Sequence, residues 1–187
     1  MWNTYIAVDS VDDSLAKVAS AGGQVAMPGF AIPDAGRMAY VFDPGGAGVL
    51  LWQANGHIGA YRVNEHGTIS WNELITADPA ASTGFYEQIA GMTTSETDMG
   101  EGNKYTVFVA TDGSQVGGTT PPYAPGTPNH WHVYFGTSDA DATAAKATEL
   151  GGTVLVPPFD TPVGRLGTLQ DPQGAVFSIF QVPAEES

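Results

Sequence analysis

Apolar and polar positions along this chain change period in a fixed order, and the order returns. Residues 3–8 read as a short strand, and 12–21 is rich in helix formers. Acidic residues sit in the first turn of that helix, where the helix dipole favours negative charge. Gly22-Gly23 ends it, as a left-handed C-terminal position requires. Three strand-like runs follow at 24–31, 37–43 and 48–53, the last two joined by the turn-forming Asp43-Pro44-Gly45-Gly46. The same succession recurs at 132–136, 141–150, 153–159, 165–170 and 175–182, with Gly151-Gly152 and Asp171-Pro172-Gln173-Gly174 in the matching places. Each copy is expected to be a βαβββ unit.

The two copies keep register. Trp2 through Pro28 matches Trp131 through Pro157 at an offset of 129, and from Gly36/Gly164 onward the offset is 128. Repeats of this kind take precedence over any other reading of a fold, because each copy is one supersecondary unit. A third, more diverged unit lies between them. It has a strand at 69–76, a helix opened by Asp78-Pro79 and carrying Phe85-Tyr86, and strand-like runs at 103–110 and 114–118. Taking Ser10, Asp78 and Asp139 as equivalent, Gly23, Gly91 and Gly152 each fall thirteen residues later. Segments 54–68 and 119–129 then read as linkers, the second too rich in proline for a helix or central strand.

Composition narrows the function classes. A hydrophobic content of 42% with 10% aromatics is that of a globular chain of 187 residues. Zero cysteines exclude disulfides, thiolate metal sites and thiol nucleophiles. A net charge of −14 with only six basic residues argues against nucleic acid or an anionic membrane as partner. The opening Met-Trp-Asn-Thr-Tyr lacks the basic and apolar regions of a signal peptide, and no apolar run is long enough to span a bilayer, so a cytoplasmic location is expected.

With three units in place, the chain resembles the vicinal oxygen chelate superfamily of glyoxalases, bleomycin-resistance proteins and extradiol dioxygenases. The residues carrying the resemblance are Trp71, Asp78, Phe85-Tyr86 and Gly91 in the middle unit. In the last unit they are His132, Asp139, Asp141, Gly151-Gly152, Gly164-Arg165 and Asp171-Pro172-Gln173-Gly174-Ala175. It looks most like actinobacterial two-domain glyoxalase-like proteins, sometimes labelled hydroxylases. The resemblance implies an α+β fold of tandem βαβββ modules whose curved mixed sheets form open barrels. It further implies that modules 69–118 and 131–182 make one complete domain, 69–182. Module 1–53 would be the second half of a preceding domain whose first half is missing. Such an orphan would leave an apolar sheet face to cover, and a homodimer formed through 1–53 is the expected solution. Packing on the outside of 69–182 is the competing one.

Metal enzymes of the family draw ligands from the first and last strands of each module. The corresponding first-strand positions here are Asn3, Trp71 and His132, and the last-strand ones are Leu50 and Ser178. One imidazole is left where a catalytic divalent ion needs about three N or O ligands. No metal site and no cofactor are therefore expected, with a divalent metal as the disfavoured alternative. Strand parity places Glu73 with Trp71, Tyr134 with His132, and Ser178 with Val176 and Phe180. Glu73 and His132 are the catalytic candidates, as base and acid on a carbonyl or hydroxyl substrate. They could equally anchor a ligand or satisfy each other and nearby amides. Trp71, Tyr134, Ser178, Phe180 and Arg165 are the candidate ligand-binding residues, though Arg165, like Arg37, also fits a rim ion pair with a neighbouring acid.

Two functions follow. One is metal-free binding of a small, partly apolar molecule in the cavity between modules, in the manner of bleomycin-resistance proteins. The other is a glyoxalase-like lyase, isomerase or hydroxylase acting through Glu73 and His132.

Overall fold

The computed structural model describes residues 2–99 and 104–182. The first module comprises β1 (Tyr5–Ala7), α1 (Val11–Val18), β2 (Gln24–Ile32), β3 (Gly36–Phe42) and β4 (Gly48–Ala54). The second comprises β5 (Ile69–Ile75), α2 (Pro79–Ala90), β6 (Thr93–Asp98), β7 (Lys104–Val109) and β8 (Gln115–Thr120). The third comprises β9 (His130–Gly136), α3 (Ala140–Glu149), β10 (Thr153–Thr161), β11 (Gly164–Gln170) and β12 (Val176–Gln181). Strand neighbours run β1-β4-β3-β2, β5-β8-β7-β6 and β9-β12-β11-β10, the same order three times. In each, the first strand lies parallel to the last and the other pairings are antiparallel, giving mixed sheets.

The repeat in sequence is a repeat in detail. Ser10, Asp78 and Asp139 each cap their helix by accepting the backbone N–H three residues on. Gln53 accepts from the Val11 amide at 3.0 Å, and Gln181 from the Ala140 amide at 2.8 Å. Asp43 accepts from the Ala47 amide and Asp171 from the Ala175 amide, both at 2.8 Å, closing the two Asp-Pro turns. Even the irregularities recur: β2 slips register between Val25 and Met27 and again before Phe30, and β10 does so between Val154 and Val156 and again before Phe159. Pro28 and Pro157-Pro158 fall inside the second slip, which is where a strand tolerates a missing N–H.

Strand β6 departs from the sequence reading, which had no strand at 93–98. Its residues Thr-Thr-Ser-Glu-Thr-Asp are exposed throughout, so no apolar alternation marks it. It holds its place by pairing along its whole length with β7. The expected 103–110 strand is β7, with residue 103 outside the described residues.

The chain divides into two compact units. One contains Asn3–Gly59 and Asn72–Trp131, and therefore the first and second modules. The other contains Ala60–Trp71 and the residues from His132 on, with Trp2. In the first unit, α1 packs on α2, and the helix-side faces of both sheets share one core. Val11, Val18, Val41, Val49 and Leu51 meet Leu74, Phe85, Tyr86, Ile89 and Phe108 there, all nearly inaccessible. Ser14 Oγ donates to the Ile89 carbonyl at 2.6 Å across the helix pair. Gly23 lies where any Cβ would overlap the Phe85 ring, so the close approach requires glycine. Within the first module, the sheet face away from α1 keeps Tyr5, Met27 and Phe30 exposed. The second unit has a smaller core, in which α3 sets Ala140 and Ala144 on Leu169 and Ile179.

Candidate functional site

Two clusters of polar side chains lie on sheet faces turned away from the helices. In the first unit, Leu74 and Phe108 are buried in the shared helix-side core, so their strand neighbours Glu73 and Val107 project to the opposite face. Glu73 is 7% exposed. Its Oε1 accepts from the Tyr105 hydroxyl at 2.9 Å, and its Oε2 accepts from the Tyr123 hydroxyl at 3.1 Å. Tyr105 sits on β7, two residues from Val107 and therefore on the same face. Gly118, opposite Glu73 in the β5–β8 register, makes room for it, since any Cβ there would overlap the phenol ring. Tyr123 comes from the proline-rich segment after β8 and is 74% exposed, yet its hydroxyl reaches the buried carboxylate.

That segment is anchored at its far end by Asn129. Its Oδ1 accepts the Ala77 amide at 3.1 Å, and its Nδ2 donates to the Gly45 carbonyl at 3.0 Å and to Thr76 Oγ1 at 3.3 Å. Behind it, on the helix side, lies a second carboxylate. Asp43 is 3% exposed and accepts from Ser82 Oγ at 3.2 Å and from the Tyr86 hydroxyl at 3.4 Å. Burial pushes its carboxyl above the usual carboxylate range, only partly offset by the Ala47 amide and the Ser82 hydroxyl. Burial, with the charge of Asp43 beside it, likewise pushes the Tyr86 hydroxyl well above its ordinary value.

In the second unit, His132 Nε2 and Ser178 Oγ are hydrogen-bonded at 2.8 Å, and Ser178 Oγ continues to Thr168 Oγ1 at 3.0 Å. The β11–β12 register sets Thr168 opposite Ser178 and Leu166 opposite Phe180, so these four share a face. Tyr134 meets His132 edge-on with ring centroids 5.2 Å apart, and the Tyr134 carbonyl accepts from Ser70 Oγ at 3.2 Å. Beside this cluster is a shallow groove of about 280 Å³ lined by His66, Ser70, Thr137, Phe180 and Gln181 among others. His66 Nδ1 accepts the Ser138 amide at 3.1 Å.

The structure thus gathers His132, Tyr134 and Ser178 in one cluster, with Phe180 on the same face. Trp71 is half-buried in that same unit, whereas Glu73 belongs to the other. Arg165 is held by acids. Its guanidinium bonds both oxygens of Asp141, at 2.9 and 3.0 Å, and Asp160 at 2.9 Å, which raises its pKa and lowers that of Asp141. Arg37 makes the equivalent bond to Asp12 at 2.8 Å. Tyr105, Tyr123 and Thr168 were not singled out by sequence. Gly118 is the signal that could have found Tyr105, because a glycine beside a buried carboxylate marks a close approach.

The resemblance implies a divalent metal, and the donor set does not suit one. Ser178 Oγ is already hydrogen-bonded to His132 and Thr168, and Leu50 and Trp71 offer no oxygen or imidazole nitrogen. Among the described residues no group of three or more His, Asp or Glu side chains gathers to hold a metal ion. Nor, among them, is any helix long and apolar enough to cross a membrane.

Comparison with known proteins agrees with the modular architecture. The chain is 56% identical over 182 residues to the "Putative glyoxylase CFP32" of Mycobacterium bovis, covering 97% of this chain and 69% of that protein. It is 36% identical over 186 residues to the anthracycline biosynthesis protein DauV of Streptomyces sp. (strain C5), covering 97% and 66%. The fold is similar to that of the Mn(II)-bound glyoxalase from Novosphingobium aromaticivorans, with a TM-score of 0.62 at 19% identity, over 95% of this chain and 61% of that one. The family model described as Glyoxalase/Bleomycin resistance protein/Dioxygenase superfamily matches residues 68–179. With its threefold β-α-β-β-β succession and parallel first and last strands, the chain belongs to that superfamily and has its vicinal oxygen chelate fold.

Proposed function

We propose that this protein binds a small, partly apolar molecule on the helix-free sheet faces, without the metal site of its family's enzymes. The observation that carries this reading is Glu73, a nearly buried carboxylate fixed by two phenol hydroxyls. Ile75 and Val107 make that face apolar, and one fixed polar group supplies orientation. Relatives named for a glyoxylase and for anthracycline biosynthesis both align over 97% of the chain, which supports small organic molecules as the ligand class. The test is ligand-observed NMR with a panel of small aromatic molecules, with and without EDTA. Binding that is indifferent to the chelator supports the reading; binding that needs an added metal overturns it.

The His132–Ser178 hydrogen bond favours a second reading, in which His132 acts as acid or base on a bound carbonyl or hydroxyl compound in a lyase, isomerase or hydroxylase reaction. Turnover abolished in His132→Asn would support it.

Self-association belongs to the same proposal. The exposed Tyr5, Met27 and Phe30 lie on a sheet face of the first module, and a second copy of that module supplies a matching apolar surface about a two-fold axis.

A further inference from the structure

Tyr123 has an unusual combination of positions. Most of its side chain is in solvent, on a segment with no strand or helix of its own, and its hydroxyl ends on a carboxylate that is 7% exposed. A packing role does not explain a ring that is 74% exposed. Tyr105 differs in every respect. It is half-buried on a paired strand, with its ring laid over Gly118, so it is part of the fixed wall. Of the two phenols on Glu73, one is built in and one is delivered from outside.

We propose that Tyr123 is an internal stand-in for the ligand, and that the ligand is a phenol. Resting on the binding function proposed above, this names its chemical class. Ligand entry exchanges one phenol for another: the Tyr123 hydroxyl leaves Glu73 Oε2, the ligand hydroxyl donates in its place, and Tyr105 keeps Oε1. The exchange conserves the hydrogen bond to a nearly buried carboxylate, a group that is expensive to leave bare. The room vacated is that at the hydroxyl end, because the Tyr123 ring itself is 74% exposed. Asn129 limits the movement, pinning the far end of the segment through three hydrogen bonds while Thr120 remains in β8 at the other. The segment therefore swings at Tyr123 without releasing either end.

The experiment compares 4-ethylphenol with 4-ethylanisole, in which a methyl group replaces the hydroxyl hydrogen that would be donated to Glu73. Dissociation constants are measured by NMR titration for the wild-type chain, Tyr123→Ala and the Tyr123→Ala/Glu73→Gln pair. Removing the stand-in should tighten 4-ethylphenol about tenfold, the scale of one hydrogen bond to a charged acceptor. The anisole should gain less, and the double variant should lose the preference for phenol. Equal affinity for the two probes in Tyr123→Ala, or no tightening of the phenol, overturns the stand-in while leaving the binding function in place. Failure of both probes to bind any of the three proteins overturns the binding function as well. Tyr123→Phe, which keeps the ring and removes only the hydroxyl, separates the two contributions. If it too binds the phenol more tightly than wild type, hydroxyl competition is confirmed, and if it binds more weakly, Tyr123 is a ligand contact rather than a stand-in.

Discussion

Tyr86 and Asp43, 43 residues apart in the chain, meet in the core, where the tyrosine hydroxyl donates to Asp43 Oδ2 at 3.4 Å. The same hydroxyl accepts from Trp131 Nε1 at 2.8 Å, so one oxygen joins the first module's β3–β4 turn, α2 and the start of β9. Tyr86→Phe removes it while keeping the ring and its edge-on contacts with Phe85, Phe108 and Trp131. Stability should fall by about 2 kcal/mol, because a buried acceptor and a half-buried donor are both left short. Urea denaturation of the two proteins measures it.

Asp43 gives the protein a stability term with a defined pH dependence. Its carboxyl is raised above the ordinary carboxylate range by burial, so the folded state holds that proton more firmly than the unfolded state does. The stabilisation is fully present below the unfolded-state pKa and is lost as pH rises through the folded-state value. Compared with Asp43→Asn, which carries no such proton, the wild type should gain stability as pH is lowered from about 7 towards about 4. Denaturation midpoints of both proteins across that range report the difference, and parallel curves would contradict it.

Gly118→Ala tests the fixed half of the Glu73 cluster. The added methyl overlaps the Tyr105 ring and must push it aside, so the hydroxyl leaves Glu73 Oε1. Affinity for small aromatic ligands should fall about tenfold, because the displaced ring moves over the ligand face and Glu73 loses the donor that orients it. Titration of the variant beside wild type checks this, with circular dichroism showing that the fold is retained.

Arg165→Ala should leave ligand affinity unchanged, because Asp141 and Asp160 already take up the guanidinium at an exposed rim. A tenfold loss would instead assign Arg165 to the ligand as an anion clamp.

Much of this architecture is written in the repeat. The repeat, at an offset of 129 and then 128 residues, carries the helix caps, the Gly-Gly stops, the Asp-Pro turns and the Arg–Asp rim pairs, because each is set by residues of one module. The packing of α1 on α2 is not legible in that way. It depends on Ser14 and Gly23 being small at the contact, and small residues leave no periodic mark. Tyr123 is illegible for a related reason, since its linker has no period and its partner lies 50 residues away. Glu73 was accessible through strand parity, and its two phenols were not.

If self-association runs through the first module, sedimentation at micromolar concentration should give a species of about twice 19.4 kDa. Phe30→Asp, on the exposed sheet face, should return it to monomer without unfolding it.

The central claim is that a small molecule binds on the sheet face bearing Glu73, with no metal required. Its most direct test is amide chemical-shift mapping of the isotope-labelled protein titrated with indole, coumarin or 4-ethylanisole in the presence of EDTA. The account predicts saturable shifts centred on Glu73, Tyr105, Gly118 and the segment around Tyr123. Shifts that appear only when a divalent metal is added, or that map to the α1–α2 core and leave Glu73 and Gly118 untouched, would contradict it.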